Sequence, residues 1–461
     1  MDEMNTKNIV DIHRTLVQSH AMRRPESLVD RKKPLRQLRL ALLTEEPRIY
    51  QAVKRDLGRP QFETFVAELA FIKKEIDFAL RNIDDWARPR LVKTPMIFQP
   101  GSAFIEPTPK GVVLIIGTWN YPFQVSLVPL VSAIAAGNCA VVKPSEMAHE
   151  SAQVIADIVN QYLDPNCFRA IGGGVETAKY LLDLPFDHIF YTGSTLVGKE
   201  IMAKAARHLT PVTLELGGKS PAIVDKDCDL SLAVKRILWG KCLNAGQTCI
   251  APDYVLLHSE HTTSFVAHAK KHLQAMFGDS IIKSQSYARI VNERHFDRLV
   301  SYLSQGKVVL GGRYDRAEKF IEPTILMDAP PDAPVMVDEI FGPILLVIPV
   351  TDLSEAIAFI NERPHPLALY IFSKDKRNIR QVLDRTISGG VAINEVLSQV
   401  AITELPFGGV RYSGIGGYHG AFGFETFSHM RAIYKRSNFL DNPLRYAPYT
   451  ERKLKLAKTL L

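Results

Sequence analysis

Two side chains in this sequence have the chemistry of a nucleophile and its base. Cys249 closes the stretch Asn244-Ala245-Gly246-Gln247-Thr248-Cys249, small and polar residues that follow an apolar helical run of Leu232, Val234, Ile237 and Leu238. A thiol in that setting can be half exposed and reactive. Glu215 sits between two leucines in Leu214-Glu215-Leu216-Gly217-Gly218-Lys219. Apolar surroundings raise a carboxyl pKa, so such a group exchanges protons near neutrality. A nucleophile beside a base is the minimum for covalent catalysis. The blander alternatives are a buried core cysteine and a satisfied, partly buried carboxylate. The two residues are far apart in sequence, so only the fold can join them. No histidine adjoins Cys249, which argues against a papain-like pair.

The elements that must position these groups can be read from periodicity. The first hundred residues read as helices: Ile9, Ile12 and Leu16, then Leu35, Leu38 and Leu42, then Ile49 and Val53 recur at helical spacing. A long helical run over 62–86 places Phe65, Leu69, Ile72, Ile76, Ala79 and Ile83 on one stripe. Residues 95–109 are proline-containing, with Met96, Phe98, Ala103 and Ile105 alternating, and read as extended edge strands open to a partner subunit. From 111 the pattern changes to strands at 111–117, 139–142, 167–171 and 188–191, each followed by a helix. Near-continuous apolar strands alternating with helices predict a doubly wound parallel sheet. Ligands bind such sheets at the strands' carboxyl ends. A second alternating unit starts near Leu214, with strands at 222–224, 254–258, 307–310, 344–349, 368–372 and 390–393. Residues 405–418 are glycine-rich and irregular, and the tail 449–461 is short and basic.

The 461-residue length predicts two or three domains, and 46% hydrophobic with 23% charged residues is ordinary for a soluble globular chain. The net charge of +7 is spread rather than clustered, which argues against a nucleic-acid partner. Asp2 and Glu3 and the lack of an apolar run argue against a signal peptide or mitochondrial presequence. The longest apolar stretches, such as 112–117 and 344–350, are too short for an integral membrane segment. Five cysteines without close spacing predict free thiols and a reducing, cytoplasmic location. No CxxC and no paired-histidine zinc motif occurs, so no metal is expected.

Seven blocks, in order, resemble the aldehyde dehydrogenase superfamily over nearly the whole chain. They are Gly117-Thr118-Trp119-Asn120-Tyr121-Pro122, Lys143-Pro144-Ser145-Glu146, the run 192–198, Leu214 to Lys219, Gly246-Gln247-Thr248-Cys249, Glu339-Ile340-Phe341-Gly342-Pro343 and Pro406-Phe407-Gly408-Gly409. The 117–122 block and the ending Phe424-Glu425-Thr426-Phe427-Ser428-His429 are most similar to the class 3 branch, which includes fatty and aromatic aldehyde dehydrogenases.

The resemblance implies roles for named residues. Cys249 would be the nucleophile and Glu215 the base that activates water against a thioester. Asn120, otherwise a turn residue, would join the Cys249 backbone N–H in holding the oxyanion. No G-x-G-x-x-G follows the first strand, yet Gly193, Ser194, Thr195 and Gly198 at a helix start could face a pyrophosphate. Lys143 and Glu146, otherwise an exposed pair after a strand, would hold the adenosine ribose. Glu339 would bond the nicotinamide ribose, Phe341 would pack by the nicotinamide ring, and Trp119 would belong to the cofactor site. Trp119, Tyr121 and Trp239 are candidate walls of an apolar substrate tunnel. A glutamate at the ribose favours NAD over NADP, with NADP use also expected.

The implied architecture is α/β: an NAD(P)-binding domain of residues 1–94 plus 110–212 with a doubly wound parallel sheet, and an α/β catalytic domain of 213–400. A small β oligomerisation arm of 95–109 plus 401–440 implies a homodimer, and residues 441–461 form a tail. The implied reaction is NAD(P)-dependent oxidation of an aldehyde to a carboxylic acid. A coenzyme-A-acylating dehydrogenase on the same fold and a cysteine esterase or thioesterase without redox remain open alternatives.

Overall fold

The computed structural model describes residues 3–23 and 27–460. Asp2, one of the two acids weighed against a leader, lies outside them, as does the last tail residue, Leu461.

The N-terminal helices bury the predicted faces. Leu28–Thr44 starts at Ser27, whose side chain accepts the Asp30 N–H, and buries Leu35, Leu38, Ala41 and Leu42. Glu46–Leu57 ends at Gly58, which takes a left-handed φ of 60° to cap it. The long run predicted over 62–86 is not one helix. Gln61–Thr64 is α-helical, Phe65–Leu69 is a π-helical turn, and Ala70–Trp86 is α-helical again. The extra residue in the π turn shifts the stripe. Leu69, Ile72, Ile76, Ala79 and Ile83 are buried as expected, but Phe65 is 38% exposed.

A six-stranded sheet is built in the order Gly414–Ile415, Val212–Glu215, His188–Thr192, Val112–Ile116, Cys139–Lys143, Phe168–Ala170. All neighbours are parallel except the first pair. The chain lays Val112–Ile116, Cys139–Lys143 and Phe168–Ala170 outward in one direction. It then returns to place His188–Thr192 on the other side of Val112–Ile116. That reversal is the topological switch point, where the loops after the two strands part and leave a crevice. A seven-stranded sheet runs Lys307–Leu310, Thr324–Met327, Ile344–Val350, Tyr254–His258, Pro221–Val224, Ala368–Phe372, Gly390–Ile393. Each sheet carries its own apolar core.

Two segments pair otherwise than expected. Val212–Glu215 pairs with His188–Thr192, so Glu215 ends a strand of the first sheet rather than opening the second unit. Residues 401–440 do not form one arm. Gly414–Ile415 adds to the first sheet, and Tyr418, Phe424 and Phe427 enter its core, the first and last against Phe190 of His188–Thr192 and Phe424 against Trp86. Only Ser428–Arg436 joins the arm, antiparallel to Gly101–Pro109, with Arg90–Val92 on the other side of that strand. Met96–Phe98, expected as strand, is a 3₁₀ turn.

Two cysteines remote in sequence meet at adjacent strands: the Cys139 and Cys167 sulfurs are 2.9 Å apart. No helix among the described residues is long and apolar enough to cross a membrane.

Candidate active site

A cavity of about 720 Å³ opens where the loops from the two sheets face each other. Asn120, Glu215 and Cys249 all line it, so the fold joins the residues that the sequence separates. Asn120 comes from the loop after Val112–Ile116, and Glu215 from the end of a neighbouring strand. Cys249 follows the helix Leu230–Cys242, on the other side of the cavity.

Glu215 is 2% exposed, and neither carboxyl oxygen has a hydrogen-bond partner. Burial holds its pKa well above the ordinary carboxylate range. This does not match the bland reading of a satisfied carboxylate. Cys249 is partly accessible, and burial pushes its thiol pKa up, with the Glu339 and Glu215 carboxylates adding to the shift. The resting sulfur is therefore a thiol, and its proton must leave as it attacks.

Asn120 does not close a local turn. Its Nδ2 donates to the Gln247 carbonyl at 3.1 Å, and its Oδ1 is buried without a partner. An amide nitrogen carries two hydrogens, so one remains for a ligand. The Gln247 side chain anchors the nucleophile loop further: Nε2 donates to Asn244 O and Arg289 O, each at 2.9 Å, and Oε1 accepts the Val291 N–H at 3.0 Å. Tyr121 lines the cavity and its hydroxyl meets Thr248 Oγ1 at 2.7 Å. Trp119 packs edge-on against Phe341 at 5.4 Å. Trp239 is 43% exposed and stands at the cavity wall.

Ser194 caps the helix Thr195–Ala205 by accepting the Val197 N–H, and Thr195 Oγ1 donates to Tyr412 O at 3.0 Å. Gly198 meets Leu216 so closely that an added Cβ would come within 2.7 Å of its methyl. Of these, Gly193 and Ser194 line the cavity, while Thr195 and Gly198 lie along the helix behind them. Lys143 is 3% exposed and donates to Glu146 at 2.7 Å, so the lysine is not an exposed charge. Partial burial raises the Glu146 carboxyl, but the Lys143 hydrogen bond and charge outweigh it and leave the pKa below its ordinary value. Glu339 packs against Gly217, where a Cβ would meet its Oε2 at 2.0 Å, and its Oε1 is buried without a partner. Burial and then the Asp253 charge push the Glu339 pKa to about 8.

Three contributors lacked any motif signal, and a fourth, Thr192, stood in the 192–198 block without a role. Arg298 donates to Ile340 O at 2.8 Å and to Glu339 O at 3.3 Å, fixing the loop that carries Glu339. Thr192 Oγ1 is buried without a partner. His295 lines the cavity with its pKa lowered to about 4 by burial and nearby arginines. Glu63, on the helical turn before the π segment, also faces it. Their spacing in sequence is unrelated to their meeting in space.

A doubly wound sheet whose switch point opens onto a cavity holding a thiol, a buried carboxyl and a free amide hydrogen defines a ligand-binding site equipped for covalent catalysis. A family model described as "Aldehyde dehydrogenase family" matches residues 16–433. "Aldehyde dehydrogenase family 3 member A2" of Pongo abelii is 46% identical over 433 residues, covering 94% of this chain and 89% of that protein. "Aldehyde dehydrogenase, dimeric NADP-preferring" of Mus musculus is 46% identical over 402 residues, covering 87% and 89% respectively. The solved structure "Substrate bound state of Staphylococcus Aureus AldH" superposes with a TM-score of 0.96 at 40% identity, covering 98% of this chain and 99% of that one. The chain belongs to the aldehyde dehydrogenase family.

Proposed function

We propose that this enzyme oxidises medium- to long-chain aliphatic or aromatic aldehydes to carboxylic acids, preferring NAD and accepting NADP. The observation that carries the substrate class is the charge of the cavity. Aromatic and aliphatic side chains dominate its walls, among them Phe71, Trp119, Tyr121, Trp239 and Leu397. Its charged residues are Glu63, Glu215, Glu339 and Arg298. Arg298 is already spent on two backbone carbonyls. A substrate carrying its own carboxylate would find no uncommitted cation among these lining residues, whereas an apolar chain gains by leaving water.

The chain's residues fit a dinucleotide. Thr192 Oγ1 and Glu339 Oε1 are orphaned polar atoms at the switch-point crevice. Gly193 and Ser194 would receive the phosphates at a helix start, with Thr195 and Gly198 in the helix behind them. Lys143 and Glu146 would hold the adenosine ribose, Glu339 the nicotinamide ribose, and Phe341 and Trp119 would flank the nicotinamide. The Glu146 charge favours NAD, although the murine relative is named NADP-preferring. When bound, the dinucleotide supplies the hydride acceptor.

Cys249 attacks the aldehyde carbon: its thiol proton passes to solvent water, a C–S bond forms, and the carbonyl pair moves to oxygen. The free hydrogen of Asn120 Nδ2 and the Cys249 backbone N–H stabilise that oxyanion. Oxidation leaves a thioester on Cys249. Glu215 then takes a proton from water as the water attacks the thioester carbon, and sulfur leaves as the acid is released. Its raised pKa makes it a stronger base than an exposed carboxylate.

We also propose a homodimer formed through the small sheet, whose strand Ser428–Arg436 lies at an edge. The five cysteines form no disulfide, which suits a reducing, cytoplasmic setting.

The test is reduction of NAD⁺ and NADP⁺ by aldehydes from short aliphatic to hexadecanal and benzaldehyde, with coenzyme A and simple esters as control acceptors and substrates. An optimum at long or aromatic aldehydes supports the reading. Acyl transfer to coenzyme A, ester hydrolysis alone, or a preference for carboxylate-bearing aldehydes would overturn it.

A further inference from the structure

Behind the oxyanion donor lies a buried polar cluster that the reaction itself does not use. Arg59 follows the Gly58 cap and is 1% exposed. Each edge of its guanidinium is engaged. Nη1 pairs with Glu68 Oε1 at 2.6 Å, Nε donates to Asn244 Oδ1 at 3.0 Å, and Nη2 donates to the Asn120 carbonyl. Its flat face lies over Tyr121, 4.5 Å from the ring centre. Glu68 completes its own bonding with the Phe123 N–H at 2.7 Å and the Gln124 N–H at 3.2 Å. Those donors open the helix Pro122–Ala136, directly after Asn120.

Asn244 is the opposite pole. It and Ala245 adopt left-handed φ values of 52° and 53°, which non-glycine residues hold only when their surroundings impose them. Every polar group of Asn244 is used. Nδ2 donates to Asn120 O and Gln247 O, each at 3.0 Å, and the backbone N–H donates to Glu63 Oε2 at 3.0 Å. Its carbonyl accepts from the Gln247 side chain at 2.9 Å. The Asn120 carbonyl thus receives Arg59 and Asn244, while the Gln247 carbonyl receives Asn120 and Asn244.

The π turn explains how two glutamates reach this cluster. Residues 63 and 68 are five apart, and in an α-helix they would point about 140° away from each other. The i to i+5 bond from the Ala70 N–H to Phe65 O widens the turn. Glu63 and Glu68 then converge on Asn244 and Arg59.

We infer that Arg59, held by Glu68, is a positioning residue that fixes Asn120 and the 244–249 nucleophile loop relative to each other. This rests on the reading of Asn120 as oxyanion donor. Arg59 does not itself line the cavity; it acts on the lining through the Asn120 carbonyl and on the nucleophile loop through Asn244. Two charges buried together at this site are costly to form and costly to break singly. Their return is geometry, and misplacing a reacting group by about 1 Å can cost roughly a hundredfold in rate.

The experiment is a double-mutant cycle read by the pre-steady-state burst of reduced cofactor, with cofactor affinity and thermal melting measured in parallel. Arg59→Lys keeps the charge but loses the fork, and should slow the burst roughly 10- to 100-fold with cofactor affinity unchanged. Asn120→Ala should slow it about 100- to 1,000-fold. The double variant should lose less than the product of the two single losses, because part of the effect of Arg59 runs through Asn120. Should Arg59→Lys not fold, Glu68→Gln, which keeps size and shape, serves in the same cycle. Losses that multiply, or an unchanged burst in the single variant, overturn the proposal while leaving the oxyanion reading intact. A normal burst in Asn120→Ala removes both.

Discussion

Thr192 and Glu215 are register partners at the carboxyl ends of adjacent parallel strands. The backbone confirms their alignment, since the Gly193 N–H donates to Glu215 O at 3.0 Å. The proposed base and the proposed phosphate loop therefore leave the sheet side by side. Any movement of one strand moves both.

Glu215 should act in deacylation and not before it. Glu215→Gln should retain a single burst of reduced cofactor while steady-state turnover falls about 100- to 10,000-fold. Stopped-flow absorbance resolves the two phases. A missing burst would place Glu215 in the first half of the reaction.

The same residue should set a pH dependence of stability. Its folded pKa lies well above the unfolded value near ~4.3, so its buried neutral form stabilises the fold in acid. That contribution is lost as pH rises from the unfolded value through the folded one. Glu215→Gln should therefore melt higher than wild type at alkaline pH, with the gap closing towards pH ~4. Calorimetry across that range reads the sign directly.

Cys249→Ala should abolish turnover with every aldehyde while cofactor affinity stays within about twofold, because the thiol alone forms the covalent bond. Fluorescence titration with NADH alongside the activity assay checks both. Residual aldehyde oxidation would remove the thiol from the mechanism.

Trp239, 43% exposed at the cavity wall, should govern chain length. Trp239→Ala should raise KM for hexadecanal about 10-fold or more through lost apolar contact, with short aldehydes little affected. Its partial exposure keeps the stability change small, about 0.5 kcal/mol. Equal effects on all chain lengths would deny it a place in the tunnel.

The edge strand should carry the assembly. A chain ending after Phe427 removes Ser428–Arg436 but keeps the first core complete. It should sediment as a monomer, whereas the intact chain should sediment as a dimer. Dimers in the shortened chain would move the interface elsewhere.

The sequence alone determined the residue chemistry and the order of elements. The thiol among small residues, the glutamate between leucines, and the strand–helix alternation from residue 111 are local patterns, because side-chain period follows backbone repeat over a few residues. The tertiary structure decided which patterns meet. It placed Glu215 at the end of a strand of the first sheet, drew Tyr418, Phe424 and Phe427 into that sheet's core, and paired Ser428–Arg436 with Gly101–Pro109. It also buried Lys143, turned Phe65 outward at the π turn, and surrounded Asn120 with Arg59, Asn244 and Gln247. Burial, register and pKa arise from contacts between residues tens to hundreds of positions apart, and no local period records them.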